Sequence, residues 1–299
     1  SKYLEKGPFN DGPFLFVVNP NSGTGAVKTF LNYAHQNEQF SAHEVIVSKD
    51  GMHSIELARK AEQNGYKAVV AVGGDGSVHE IGKQLIHSNT ALGIIPTGSG
   101  NGIARHFGIS MKVKTACEQI LTGQLIEIDT IKVNNQQAIG FCGVGIDAHV
   151  AGIFQKSKVR GLNTYMKLTI DAFANYKPTI FRIDDQAKEW KAYSIVAANI
   201  NQFGNNAFIN PDGDASDGKI ELIVIKSFPQ LAFAEVASRL FLKSLPKSKH
   251  VHVMKGKRFE IENLSNAPFQ IDGESIETAN TFTFEAQEKS LKIIIPNHG

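Results

Sequence analysis

Lys67-Ala68-Val69-Val70-Ala71-Val72-Gly73-Gly74-Asp75-Gly76-Ser77 passes from an unbroken apolar run directly into a glycine-rich turn. Apolar residues without alternation mark a strand covered on both faces, as in a parallel sheet. The pattern occurs twice more. Phe14–Val18 leads into Asn19-Pro20-Asn21-Ser22-Gly23-Thr24-Gly25, and Ala91–Ile95 leads into Pro96-Thr97-Gly98-Ser99-Gly100-Asn101-Gly102. Between these segments the spacing predicts a helix over 25–37, a strand over 43–48, a helix over 54–63 stopped by Asn64-Gly65, and a helix over 78–86. This β-α-β-α rhythm predicts an open parallel sheet with helices on both faces.

From about Glu127 the character changes. Short strand patterns such as IEIDTIKV, YSIVAANI, KIELIVI, RFEIE and FTFE follow one another, mostly separated by polar turns. Helical patterns interrupt them near 147–176 and 230–245. This half reads as mainly antiparallel β, a sandwich or barrel-like domain. The expected fold class is therefore α/β followed by β, with domains at 1–126 (possibly joined by 290–299) and 127–289.

The composition is that of an ordinary globular chain: 299 residues, 42% hydrophobic, 20% charged. A formal net charge of +2 says little about partners, because nucleic-acid binding usually needs a concentrated basic face. Cys117 and Cys142 lack metal-ligand or redox spacing, so a disulfide framework is not expected and a cytoplasmic location is. No run approaches the ~20 apolar residues that cross a bilayer. The start, Ser1-Lys2-Tyr3-Leu4, does not read as a signal peptide.

In open parallel sheets, ligands sit beyond the carboxyl ends of the strands, where all three glycine turns fall. Glycines let backbone N–H groups approach phosphate oxygens, and a helix starting after each turn adds a favourable field. One such loop is as often only a tight turn; three in register predict a polyphosphate ligand. Asp75 repels phosphate unless a cation lies between them, and Mg²⁺ is the natural choice. Capping a helix is the competing role for this carboxylate. Three near-motifs fail. Gly23–Thr29 lacks the glycine before Lys28 that a P-loop requires, His79-Glu80 is followed by Lys83 where a zinc site needs histidine, and Thr97 precedes Ser99 where a nucleophile elbow needs glycine.

NPNSGTG, GGDGS and LGIIPTGSGNGIAR resemble the signature segments of the diacylglycerol kinase catalytic domain, whose superfamily includes sphingosine, ceramide and bacterial lipid kinases. The likeness is specific over 14–105 and looser through GFCGVGIDA, PDGDASDGKIEL and QIDGE. It implies a Rossmann-like nucleotide domain, a β-sandwich domain and an active site in the cleft, as in NAD kinase and diacylglycerol kinase. It implies ATP and Mg²⁺ as cofactors, with Asn19, Ser22, Gly23, Ser48, Gly73, Gly74, Asp75, Gly76, Ser77, Ser99 and Asn101 around the nucleotide. Asp75 would serve the catalytic Mg²⁺ and Glu274 would be the general base. The turn 212–219 resembles a structural-metal turn, with Asp214, Asp217 and the backbone carbonyl of Lys219 as ligands; a solvated acidic hairpin is the plainer reading. Two departures stand out: Gly102 replaces the family's acidic residue, which shifts metal handling toward Asp75 and Asp129, and Ser77 replaces threonine.

The resemblance implies a lipid acceptor, transient contact with the inner membrane surface and no nucleic acid, and it admits a homodimer. Lys243–Arg258, with six Lys/Arg and no acid beside the apolar-rich 231–245, suits an anionic membrane or a lysine-protected strand edge equally. Val150, Ile153, Phe154, Leu162, Met166, Leu168 and Phe173 line an acyl pocket or pack a helix. A nicotinamide-dinucleotide kinase and a silent nucleotide or lipid binder are the other two readings; the first lacks NPNSG, and Gly102 motivates the second.

Overall fold

The computed structural model describes residues 12–156, 175–184 and 187–297. Leu162, Met166, Leu168 and Phe173, four of the acyl-pocket candidates, lie outside them, as does the side chain of Phe154. The chain forms two units, Ser1–Ile128 with Lys289–Gly299 and Asp129–Glu288.

In the first unit, β1 (Phe14–Val18), α1 (Thr24–Gln36), β2 (Glu44–Val47), α2 (Gly51–Gln63), β3 (Ala68–Gly73), α3 (Asp75–Leu85) and β4 (Ala91–Pro96) alternate. The short α4 (Gly102–His106) and α5 (Val113–Thr122) follow. β1, β3 and β4 are buried at every position, which accounts for their unbroken apolar sequence. Every pairing in this sheet is parallel: β2 with β1, β1 with β3, and β3 with β4. The end of the last strand adds beyond β4 through Ile293 and Leu92. From β1 the chain goes first to β2 on one side and then to β3 on the other. The strand order thus reverses between β1 and β3, and the crevice that such a reversal opens lies at the turns following those two strands.

The second unit contains most of β5 (Gln124–Val133), then β6 (Gln136–Ala138), β7 (Phe141–Gly145), α6 (Ile146–Lys156), β8 (Thr179–Ile183), β9 (Glu189–Ala198) and β10 (Ile220–Lys226). After α7 (Phe233–Phe241) come β11 (Val251–Gly256), β12 (Arg258–Asn263), β13 (Phe269–Ile271), β14 (Glu274–Ile276) and the first part of β15 (Thr281–Ile295). Its pairings are antiparallel, with β9 central: β10 lies on one side, β8 and β7 on the other. Ile195 and Ala197 of β9 enter one buried cluster with Phe181, Phe259, Ile261, Phe282 and Phe284. Val196 and Ala198 point into another with Ile146, Val150 and Val236 from the helices. Alternation along one strand therefore divides two cores.

Asp147, on the first turn of α6, lies against the glycine backbone of β7. A Cβ on Gly143 would sit 2.2 Å from its Oδ2. Ser194 Oγ donates to its Oδ1 at 2.5 Å and Gln270 Nε2 to its Oδ2 at 2.9 Å. Burial raises the Asp147 pKa, and those two hydrogen bonds only partly oppose it. A carboxyl group raised on folding favours the protonated state, so its contribution is full at low pH and is lost as pH climbs through the folded pKa. We expect the second unit to lose stability as pH rises above the ordinary value of 3.8, and Asp147→Asn to flatten that slope. Urea unfolding at about pH 5 and about pH 7.5 measures both; equal slopes for wild type and variant would remove Asp147 as the cause.

Candidate functional site

The three glycine turns of the first unit converge. Asn19 follows β1, and its N–H donates to the Val72 carbonyl at 3.0 Å, tying the first turn to the end of β3. Asn19 Nδ2 donates to Ser77 Oγ at 2.9 Å, linking the first turn to the second. Thr97 Oγ1 donates to Ser22 Oγ at 3.0 Å, linking the third to the first. The second and third meet most closely. The N–H of Asn101 donates to Asp75 Oδ2 and that of Gly102 to Asp75 Oδ1, each at 2.7 Å. Arg105 Nε and Asn101 Nδ2 then hold the third turn from within, through the carbonyls of Gly100 and Gly98.

Glycine is required where these backbones touch. A Cβ on Gly98 would lie 2.6 Å from the Gly74 Cα, and one on Gly23 1.9 Å from the Thr97 carbonyl oxygen. Gly23 also has φ +45°, a left-handed conformation that side chains disfavour. The helices α1 and α3 begin at these turns, and their N-caps Gly23 and Gly74 offer no side-chain hydrogen bond to the first N–H groups.

α3 begins at Asp75 itself rather than at Val78, and its N-cap is Gly74. The capping role open to Asp75 is therefore exercised on another segment, the Asn101–Gly102 start of α4. Its half-buried carboxylate suits the rim of an Mg²⁺ site, because Mg²⁺ is usually held by one or two carboxylates with phosphates and water completing its shell. No cluster of three or more His, Cys, Asp or Glu capable of caging a metal occurs among the described residues. Ser99 is exposed. Ser48 is buried, and its Oγ donates to the Val18 carbonyl at 3.2 Å, beside the first turn.

In the second unit, Asp272 and Gly273 have φ +47° and +87°, and Ile271 pairs with Glu274 across them. That is the geometry of a tight two-residue hairpin, for which Asp-Gly is a favoured sequence. Glu274 leaves this turn half-buried. Sequence reasoning passed over the work of its neighbour Asp272, whose carboxylate accepts the N–H groups of Ile139, Gly140 and Phe141 at 2.8–2.9 Å. The signal was GFCGVG, a glycine-marked strand entry that a distant acid can cap. The hairpin presenting Glu274 is thereby fixed to β7.

The acidic turn is similarly braced. Asp129 is buried and accepts the Gly218 N–H at 2.7 Å, so it serves this turn. Asp214 accepts Ser216 Oγ at 2.7 Å. Lys219 is exposed, and its N–H donates to Asp217 Oδ1. Lys255 Nζ lies 2.6 Å from both Asp217 Oδ2 and Glu221 Oε1. Burial alone would lower the Lys255 pKa, but its hydrogen bonds to Asp217 and Glu221 outweigh that and hold it above the ordinary lysine value. A divalent ion at Asp217 would have to compete with this ammonium.

The family profile "Diacylglycerol kinase catalytic domain" matches residues 13–133, and "YegS C-terminal NAD kinase beta sandwich-like domain" matches 140–295. A diacylglycerol kinase of Bacillus subtilis (strain 168) is 24% identical over 270 residues, covering 86% of this chain and 88% of its own. One from Staphylococcus saprophyticus is 24% identical over 268 residues, with 86% and 87% covered. A crystal structure of a diacylglycerol kinase from Bacillus anthracis str. Sterne superposes with a TM-score of 0.74 at 20% identity, covering 98% of this chain and 99% of its own. At that identity the superposition speaks for the fold.

Two stability outcomes follow from the contacts. Gly98→Ala wedges the second and third turns apart and costs about 1–3 kcal/mol, whereas Gly25→Ala, with nothing within 4 Å of the added carbon, costs nothing or stabilises α1 by up to about 1 kcal/mol. Urea midpoints compare the two, and equal effects would contradict the packing account. Lys255→Met strands Asp217 and Glu221 and costs about 1–2 kcal/mol. Millimolar Mg²⁺ should recover part of that loss in the variant and change the wild type little; identical responses would show that the ammonium does not hold the turn.

Proposed function

The chain belongs to the family that joins a diacylglycerol kinase catalytic domain to a YegS C-terminal NAD kinase beta sandwich-like domain, and from that premise we propose that it transfers the γ-phosphoryl group of ATP to a lipid hydroxyl. The observation carrying this reading is the mutual clamping of three glycine turns at the point where the parallel sheet reverses its order. Such turns present main-chain donors to a chain of phosphates without reorganisation at the moment of reaction.

Phosphoryl transfer asks for charge stabilisation and in-line alignment more than for covalent help. The residues of the first two turns, Asn19, Ser22, Gly23 and Gly73 through Ser77, bind and orient the phosphates, with Ser48, Ser99 and Asn101 at the margin of the nucleotide. Mg²⁺, when bound beside Asp75, supplies the positive charge that offsets the phosphate oxygens. Glu274 accepts the proton of the acceptor hydroxyl. An ordinary carboxylate is too weak a base to ionise an alcohol outright, so the proton moves late, as the new O–P bond makes the hydroxyl acidic. The rigid hairpin and its Asp272 brace keep Glu274 in one place for that step. Gly102 contributes its N–H to Asp75 and no charge of its own. The protein then works on lipid at the inner membrane surface.

Incubation with labelled ATP, Mg²⁺ and a panel of diacylglycerol, sphingoid base, ceramide, phosphatidylglycerol and NAD tests the reaction. Label in an organic-soluble product is expected; label in the dinucleotide, or ATP binding with no product at all, would overturn the lipid reading. Glu274→Gln should bind nucleotide normally and lose about 10²–10⁴-fold in turnover. Near-normal turnover in that variant would remove Glu274 from the mechanism.

A further inference from the structure

The helix α7 is apolar on two sides. Its inner side, with Phe233, Val236 and Leu240, packs into a core cluster of the second unit. Such a helix ordinarily turns charge outward. Here the outward positions are Leu231, Ala234, Ser238, Phe241 and Leu242, spaced as one stripe along the helix and its leading turn. Leu231 is 97% exposed, Leu242 71% and Phe241 39%. Three large apolar side chains held in water by a well-packed helix mark a surface that something covers.

The charges beside the stripe indicate what covers it. No acid occurs between Glu235 and Glu260, while the intervening chain carries seven Lys and Arg. These basic residues fall into two groups. Arg239 pairs with Glu235, Lys255 with Asp217 and Glu221, Lys257 with Glu288, and Arg258 with Glu260. Those charges are already answered within the protein. Lys243, Lys247 and Lys249 are exposed and have no ion pair among the described residues. They follow directly from Leu242, and Lys243 is steadied with its ammonium 4.5 Å above the Phe208 ring.

We propose that the Leu231–Leu242 stripe and the unpaired lysines 243, 247 and 249 dock this chain on an anionic lipid bilayer, the stripe entering the headgroup boundary and the lysines resting on the charged surface. This rests on the lipid-kinase reading and adds to it the surface by which the protein reaches its acceptor. No described helix is long and apolar enough to cross a membrane. A protein partner fits less well. A stable protein interface needs on the order of 1,000 Å² with matched hydrogen bonds, whereas this surface offers a narrow apolar ridge followed by three exposed lysines. That combination is what interfacial helices present to anionic lipid.

Flotation of the full chain with vesicles of phosphatidylglycerol and phosphatidylcholine, or phosphatidylcholine alone, tests the surface. Wild type should bind the anionic vesicles and fall off as salt rises. The triple variant Leu231→Ser, Phe241→Ser, Leu242→Ser alters only outward positions and should bind at least about tenfold more weakly. The double variant Lys247→Gln, Lys249→Gln should lose on the order of tenfold or more, whereas Lys257→Gln with Arg258→Gln should change little. All variants should match wild-type phosphorylation of lipid dispersed in detergent micelles, where no bilayer has to be found. Unchanged vesicle binding in the stripe and Lys247/Lys249 variants, or stripe-dependent binding to another protein with none to vesicles, would overturn the docking surface and leave the kinase reading standing. Stripe-dependent vesicle binding by a chain that phosphorylates no lipid would support the surface and overturn the kinase reading instead.

Discussion

The carboxylate of Asp75 meets two backbone N–H groups, one on each oxygen, and the rest of the first unit's rim depends on that contact. Glycine turns have no side chains with which to fix themselves, and they lose more conformational freedom on folding than other segments. Left alone, three such turns would sample many shapes and would pay an ordering cost whenever an anion bound. Asp75 removes much of that freedom in advance by anchoring the third turn to the first residue of α3. Asn19–Ser77 and Thr97–Ser22 complete a closed ring of contacts among the three turns. Several glycines in the ring are then explained by a neighbour they must admit: Gly98 by the Gly74 backbone, Gly23 by the Thr97 carbonyl and Gly100 by the Asp75 carboxylate.

The sequence displayed the alternation of this unit well because its signals are local. An unbroken apolar strand, a glycine turn and a helical period can each be read within a dozen residues, and β1 to β4 with α1 to α3 lie within a few residues of their expected limits, whereas α4 and α5 were not anticipated. The ring of contacts was not legible. It joins positions 26 to 75 residues apart through hydroxyl, amide and carboxylate groups that have no period. The same reason hid Asp272, which serves N–H groups more than 130 residues earlier in the chain. Asp75 shows the intermediate case. Its residue type announced a charge at a phosphate turn, and a capping role was foreseeable, but the helix it caps depends on how β3 and β4 pair.

The second unit applies the same economy of carboxylates. Asp129, Asp147, Asp214, Asp217 and Asp272 all accept hydrogen bonds within the unit. An acid in a glycine-rich motif is therefore ambiguous from sequence, since bracing backbone and binding a cation select the same residue types at similar spacings. The two roles differ in what surrounds the oxygens. Asp217 shares its second oxygen with an ammonium, while Glu274 stands half-buried at the head of a hairpin that other residues have already fixed. The bracing is done by its neighbours: Asp272, and not Glu274, ties the hairpin to the backbone at Ile139–Phe141.

Gly102 fits this division of labour. A second carboxylate at that position would stand close to Asp75, and two like charges in one site raise the pKa of one of them unless a cation separates them. Glycine removes that conflict and leaves an N–H that completes the Asp75 contact. With a single carboxylate here, any Mg²⁺ ion bound beside Asp75 would have to be held largely by groups other than carboxylates, such as phosphate and water. The ring of turns keeps its shape without a resident ion, because backbone donors supply the positive partners that Asp75 requires.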